Sequence, residues 1–206
     1  MKRLLNPRGY LSHTQIDMWL RSPDRYIRQY ILGEADIKNN RMDFGSKVAY
    51  AEETGEKTDD EMINLLVALL PKYPKHEHEI RVTMATDAGD VDLLGKLDKF
   101  HDQTFAFRDT KTGVTPWTQR RADKHRQLDH YATLIWLAHK RVPDQIHLDW
   151  AETAITEDGG EVFLTGKVRS FQVKKTLGDV IEYMAIAGKV AVEIDAAYRA
   201  EMKKAA

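Results

Sequence analysis

Apolar positions along this chain fall into two spacings, helical at both ends and alternating in the middle. In LSHTQIDMWLRSPDRYIRQYILG (11–33), Ile16, Trp19 and Leu20, then Tyr26, Ile27, Tyr30 and Ile31, recur at helical intervals. Ser12, three residues before Gln15, is a capping-box start, and Ser22-Pro23 predicts a break or kink. Further helices are predicted over 43–54 and from near Asp59 through MINLLVALL to Pro71. The period then changes to two. EIRVTMAT (79–86), VDLLGKLDKF (91–100) and TFAFRDTK (104–111) read as strands, separated by the turn chemistry of DAGD and a short turn at HDQ. QRRADKHRQLDHYATLIWLAHK (119–140) predicts one long amphipathic helix. QIHLDWAETA and EVFLTGKVRSF predict two strands around an Asp-Gly-Gly turn, and 176–203 a closing helix. The order implies an α/β (α+β) fold, a mixed central sheet of five strands flanked by helices, with helices at both ends.

Composition narrows the picture. Hydrophobic residues at 42% and charged at 31% fit a globular chain, and 206 residues are most simply one domain. It divides into a helical part (10–70), a core (78–140), and strands with a closing helix (145–203). With no cysteine, disulfides, thiolate zinc sites and iron–sulfur clusters are excluded. MKRLLNPRGY lacks an apolar segment of signal-peptide type, and INLLVALL is too short to span a bilayer. A cytoplasmic protein with no membrane partner is expected. The net charge of −1 is no global signal for nucleic acid, but its distribution is uneven. Residues 108–126 carry Arg108, Lys111, Arg120, Arg121, Lys124 and Arg126 against Asp109 and Asp123. Such a strip reads either as a polyanion contact or as a solvated helix face.

Candidate chemistry centres on FRDTKTG (107–113). Asp109 and Lys111 are two apart on a strand and therefore share a face, with Phe105 and Phe107. A turn at Asp102-Gln103 would set Asp98 opposite Phe107 and make Asp109 its diagonal neighbour. Two carboxylates and an ammonium then converge, a set suited to a hard divalent cation and phosphodiester hydrolysis, or to a surface hairpin with Asp–Lys pairs. The triplets DIK (36–38) and EMK (201–203) share the spacing without that setting. Gln127 and Tyr131, four apart, lie on one face of the following helix. Arg120, Arg121, Lys124 and Arg126 suit backbone phosphates. Trp117 is either a stacking platform for a base or a core anchor.

GKLDKF, FRDTKTG and QLDHY in that order resemble the PD-(D/E)XK nuclease superfamily in its RecB-like exonuclease branch. The helix from Leu11, the segment FGSKVAYAEETG, and Glu79 opening the first strand resemble it too, so the likeness runs over roughly residues 10–135. It implies a restriction-endonuclease-like core and a DNA nuclease using Mg2+ or Mn2+. Asp98, Asp109 and the Thr110 backbone carbonyl would be metal ligands, Lys111 would assist the attacking water, and Gln127 and Tyr131 would position the site or the strand. A small stand-alone member of this branch is expected to act as an exonuclease in recombination or repair, with phage or prophage as one source and a repair protein as one partner.

Two departures stand out. Ala49 occupies the place of the branch's metal-binding histidine, with Glu52 or Glu53 as a replacement ligand or as surface acids. Ser22 replaces the cysteine of Cys-Pro. An inactive nucleic-acid-binding module on the same fold is the alternative reading. KHEHE (75–79) reads as the exposed start of a strand, and His125 and His130 as phosphate contacts or surface residues.

Overall fold

The computed structural model describes residues 2–35, 39–157 and 160–204. The triplet Asp36–Lys38 and most of the Asp-Gly-Gly turn (Asp158, Gly159) lie outside the described residues. Ser12 caps α1 (His13–Arg21) by accepting from the Gln15 amide, as the capping box predicts. The helix breaks at Ser22, whose hydroxyl caps a short α2 (Pro23–Tyr26) with proline in its first turn, and a π-helical turn covers Ile27–Ile31. Asn39 caps α3 (Asn40–Thr54), and Asp60 caps α4 (Glu61–Leu69).

The sheet has the order β1-β2-β3-β4-β5. Its strands are β1 (Lys75–Thr86), β2 (Gly89–His101), β3 (Ala106–Gly113), β4 (Ile146–Ile155) and β5 (Val162–Val173). The β3–β4 pair is parallel and the others antiparallel, so the sheet is mixed, as the element order predicts. The crossover between the parallel strands carries α5 (Gln119–Asp123) and α6 (Arg126–His139), and α7 (Leu177–Lys204) closes the chain. The amphipathic run 119–140 is therefore two helices. The backbone extends at His125, and Ala122 and Leu128 on either side of the break are both fully buried.

The two faces differ. One carries the main core, where Leu128, Tyr131, Leu134 and Ile135 of α6 and Tyr183, Val190 and Ile194 of α7 meet Leu93, Leu97, Phe107 and Leu148. The other is covered by α3 and α4 through Phe44, Val48, Ile63 and Leu66 against Ala151 and Leu164. The sequence pattern did not foresee the N-terminal segment, which pairs with the start of β2 by bridges at Arg3–Asp90 and Leu11–Leu93.

Gly95 sets how closely α6 sits. A Cβ there would lie 2.7 Å from Leu134 Cδ1 and 3.0 Å from Tyr131 Cε1. Gly95→Val is expected to push α6 off the sheet, costing about 1–3 kcal/mol. Urea unfolding measures that cost. Wild-type stability in the variant would show that the close approach is not needed.

Candidate active site

Asp98 and Asp109 come from adjacent strands. The β2–β3 ladder joins Lys99 to Arg108, Phe100 to Phe107 and His101 to Ala106, and continuing that register sets Asp98 opposite Asp109. The expected pairing of Asp98 with Phe107 is therefore corrected by two residues. The cause is Phe105, which leaves the strand with a φ of 55° and packs on His139 at 4.9 Å and under the Arg141 guanidinium at 5.1 Å. Four residues then make the turn. An even shift leaves every side chain on its face, so the carboxylates still converge.

Asp109 is fully buried, and Lys111 lies 2.8 Å from its Oδ2 and 3.0 Å from Oδ1. Asp98 Oδ2 accepts from the Thr110 amide at 2.8 Å. Burial, then the charge of Asp109, pushes the Asp98 carboxyl up to about 6. Asp109 is raised as well, by burial more than Lys111 lowers it. Burial by itself would lower the Lys111 ammonium, but Asp109 and Asp98 outweigh it and hold the group above its usual value. Lys111 is thus a fixed cation.

α6 roofs this face. The Gln127 amide donates to the Tyr131 hydroxyl at 2.7 Å, and the Tyr131 ring meets Phe107 edge to face at 5.7 Å. Burial, then the charges of Asp109 and Asp98, keeps the phenol protonated.

α3 presents Glu52, one turn beyond the exposed Ala49. Its Oε1 lies 2.7 Å from Lys99 Nζ and accepts from Thr110 Oγ1 at 3.2 Å. Lys99 and Thr110 have the opposite parity to Asp98 and Asp109, so Glu52 reaches the strands from the other face. Glu53 is exposed, in a cavity of about 410 Å3 with Lys57, His76 and Lys99. Among the described residues, no group of three or more His, Asp or Glu side chains converges to hold a metal ion. The donor set nevertheless fits one hard cation. Asp98 and Asp109 set two carboxylates on one face of adjacent strands against the single Lys111 ammonium, and Mg2+ is commonly held by one or two protein carboxylates.

The basic residues divide. Arg108 is no surface residue: it is buried against Asp149, at 2.7 and 2.6 Å, and donates to Ser170. Arg120, Arg121 and Lys124 line a cavity of about 490 Å3 with Arg21 and His125, while Arg126 is exposed at the start of α6 and outside that lining. Trp117 is 7% exposed, with the Arg121 guanidinium 4.1 Å over its ring. A base cannot stack there unless Arg121 moves. His130 is not a surface residue but a fully buried one, bonded to the Tyr183 hydroxyl at 3.1 Å and the Leu94 carbonyl at 3.0 Å. Sequence reasoning missed Arg41, which shares a cleft of about 260 Å3 with Lys111 and Arg121. It also missed Glu77. That residue has a φ of 44°, and its carboxyl is raised by burial and then by Asp98 and Glu53. KHEHE alternates regularly, so no signal marked this positive φ inside β1.

The sheet order and helix placement define an α/β protein with a restriction-endonuclease-like core. No family model matches the chain, and no curated protein matches it. A crystal structure of a phage-related exonuclease from Haemophilus somnus 129PT is similar, with a TM-score of 0.51 and 13% identity over 88% of this chain and 83% of that one. A crystal structure of LHK-Exo in complex with dAMP aligns with a TM-score of 0.49 and 14% identity over 96% and 93% of the two chains.

Proposed function

We propose that this chain is a divalent-metal-dependent nuclease that hydrolyses DNA phosphodiester bonds, as an exonuclease of recombination or repair. The observation that carries the reading is the convergence of Asp98, Asp109 and Lys111 beneath the Gln127–Tyr131 pair, next to a cavity lined by cations. Asp98 and Asp109, with the Thr110 carbonyl, would hold Mg2+ or Mn2+, which supplies Lewis-acid stabilisation of charge on phosphoryl oxygens. Lys111 keeps its proton and offsets negative charge that develops beside it. Tyr131 accepts from Gln127 and keeps its own hydrogen free to donate to a phosphate oxygen. Arg41, Arg120, Arg121 and Lys124 hold the backbone. Linear single- and double-stranded DNA incubated with Mg2+ or Mn2+ tests this. Cleavage that persists in Lys111→Ala would overturn the assigned centre.

A second reading, a nucleic-acid-binding module without catalysis, has one specific observation in its favour. Ala49 replaces the expected histidine, and the acid that α3 does supply, Glu52, is tied to Lys99. Calorimetry with Mn2+ separates the two: uptake that depends on Asp98 and Asp109 supports the enzyme, and DNA binding without it supports the module.

The raised carboxyls set a pH dependence. The folded value of Asp98, about 6, lies above the ordinary value of about 3.9. Between these values the metal-free folded site keeps a proton that the unfolded chain releases, so metal-free stability falls as pH rises from about 4 to 6. Cation affinity runs the other way, because the cation must displace that proton. Mn2+ titrations at pH 5 and pH 8 are expected to show tighter binding at pH 8. Equal affinity would exclude a protonated carboxyl from the cation site.

A further inference from the structure

Two histidines lie near enough to Lys111 to feel its charge, and neither has a role in the reading above. His13 opens α1 and His125 precedes α6, with ring centroids 6.0 Å apart, edge to face. His13 Nδ1 and His125 Nε2 are both buried without a hydrogen-bond partner. A buried polar atom left unpaired is costly, and of the two rings His125 lines an open cavity. Both rings are neutral at physiological pH. Burial first, then neighbouring charges that include Lys111, pushes His13 down to about 3 and His125 to about 4. Each neutral ring carries one N–H, and that of His125 is engaged by the Gln127 side chain.

The surroundings say what the ligand is. Arg21, Arg120, Arg121 and Lys124 line the cavity beside His125, and no carboxylate lines it. Among the described residues, Arg120, Arg121 and Lys124 have no carboxylate at ion-pair distance, and the Arg21–Asp17 pair at 3.0 Å is solvent-exposed on the arginine side. The geometry is held from within: Arg121 lies over Trp117, whose ring meets His125 at 4.9 Å. Trp117 and Arg121 also line the cleft that contains Lys111. The basic cavity and the carboxylate centre therefore neighbour one another across this pair.

We propose that this cavity is a phosphate subsite. It takes a phosphate of the nucleic-acid strand next to the one at Lys111, through the charges of Arg21, Arg121 and Lys124, with the His125 ring in the cavity wall as its reporter. The identity of the strand rests on the nuclease reading; the capacity to bind phosphate does not. Arg21 and Lys124 are the residues to change, because both are exposed and neither anchors the fold.

The test uses the full chain in EDTA, where no bond is cleaved. Protein labelled with 15N in its histidines is titrated with inorganic phosphate, and with chloride at equal ionic strength. The His125 imidazole resonances are expected to shift saturably with phosphate alone. In parallel, a fluorescent single-stranded oligonucleotide without terminal phosphate is expected to bind Arg21→Ala/Lys124→Ala about tenfold more weakly than wild type. The slope of log affinity against log salt should fall by about 1.4 for the two lost contacts. Imidazoles unmoved by phosphate would overturn the subsite, and wild-type oligonucleotide affinity in the double variant would overturn its assignment to the strand. A response to phosphate but none to the oligonucleotide assigns the cavity to the free anion and overturns the strand assignment. An inactive enzyme leaves all of these readouts standing, so failure of the nuclease reading is told apart from failure of the subsite.

Discussion

Asp109→Asn is expected to abolish hydrolysis while raising the melting temperature of the metal-free protein. The two effects share one cause. Asp109 is fully buried and faces Asp98 across the β2–β3 ladder, so two carboxylates sit together with Lys111 as their counter-ion. Both are raised, which means that the ionised pair costs free energy in the fold even with Lys111 present. Asparagine keeps the shape and removes one charge. The repulsion is relieved, and the melting temperature should rise by about 2–4 °C for each kcal/mol recovered. The same change removes one of the two carboxylates offered to the cation and leaves Lys111 without its nearest anion. Activity on linear DNA should fall about a thousandfold or more. Differential scanning calorimetry with and without Mn2+ reads the stability half, and the wild-type gain on adding metal should vanish in the variant. An active Asp109→Asn enzyme would place the chemistry elsewhere. A destabilised one would show that Lys111 outweighs the repulsion.

Lys99→Met should be the most destabilising single change near the site, and it leaves Asp98, Asp109 and Lys111 untouched. The Lys99 and Glu52 side chains are 4% and 5% exposed and 2.7 Å apart. Removing one partner of such a pair leaves a buried carboxylate with only the Thr110 hydroxyl, at a cost of about 3–5 kcal/mol. The Glu52 carboxyl is already raised by burial despite the pull of Lys99. Without that pull it rises further, so the stability deficit should shrink as pH falls and Glu52 takes up a proton. Adding Glu52→Gln should recover most of the loss, since the amide oxygen still accepts from Thr110. Urea unfolding of both variants at pH 7 measures this. A cost below about 1 kcal/mol for Lys99→Met would mean that the pair is solvated rather than buried.

How far the site was legible depended on how local each signal is. Strand period two put Asp109 and Lys111 on one face, and they touch. Helical spacing put Gln127 and Tyr131 on one face, and they are hydrogen-bonded. Both inferences need only the geometry of one element. The partner of Asp98 depended on a turn, and Phe105 lengthened that turn by packing on His139 and Arg141, which lie more than thirty residues further along the chain. The break between α5 and α6 had no proline or glycine to announce it. The placement of Trp117, of Arg108 and of His130 inside the protein likewise came from contacts between distant elements.

By itself, the sequence determined the helical and strand segments, their order, and which side chains share a face, because those follow from backbone periodicity within a few residues. It also carried the motif order that resembles the RecB-like nucleases. Only the tertiary structure decided that Asp98 faces Asp109, that Glu52 is spoken for by Lys99, and that His125 packs on His13 while lining a basic cavity. Each of these joins residues on different elements, and their distance is set by turn length and core packing, which no local period encodes.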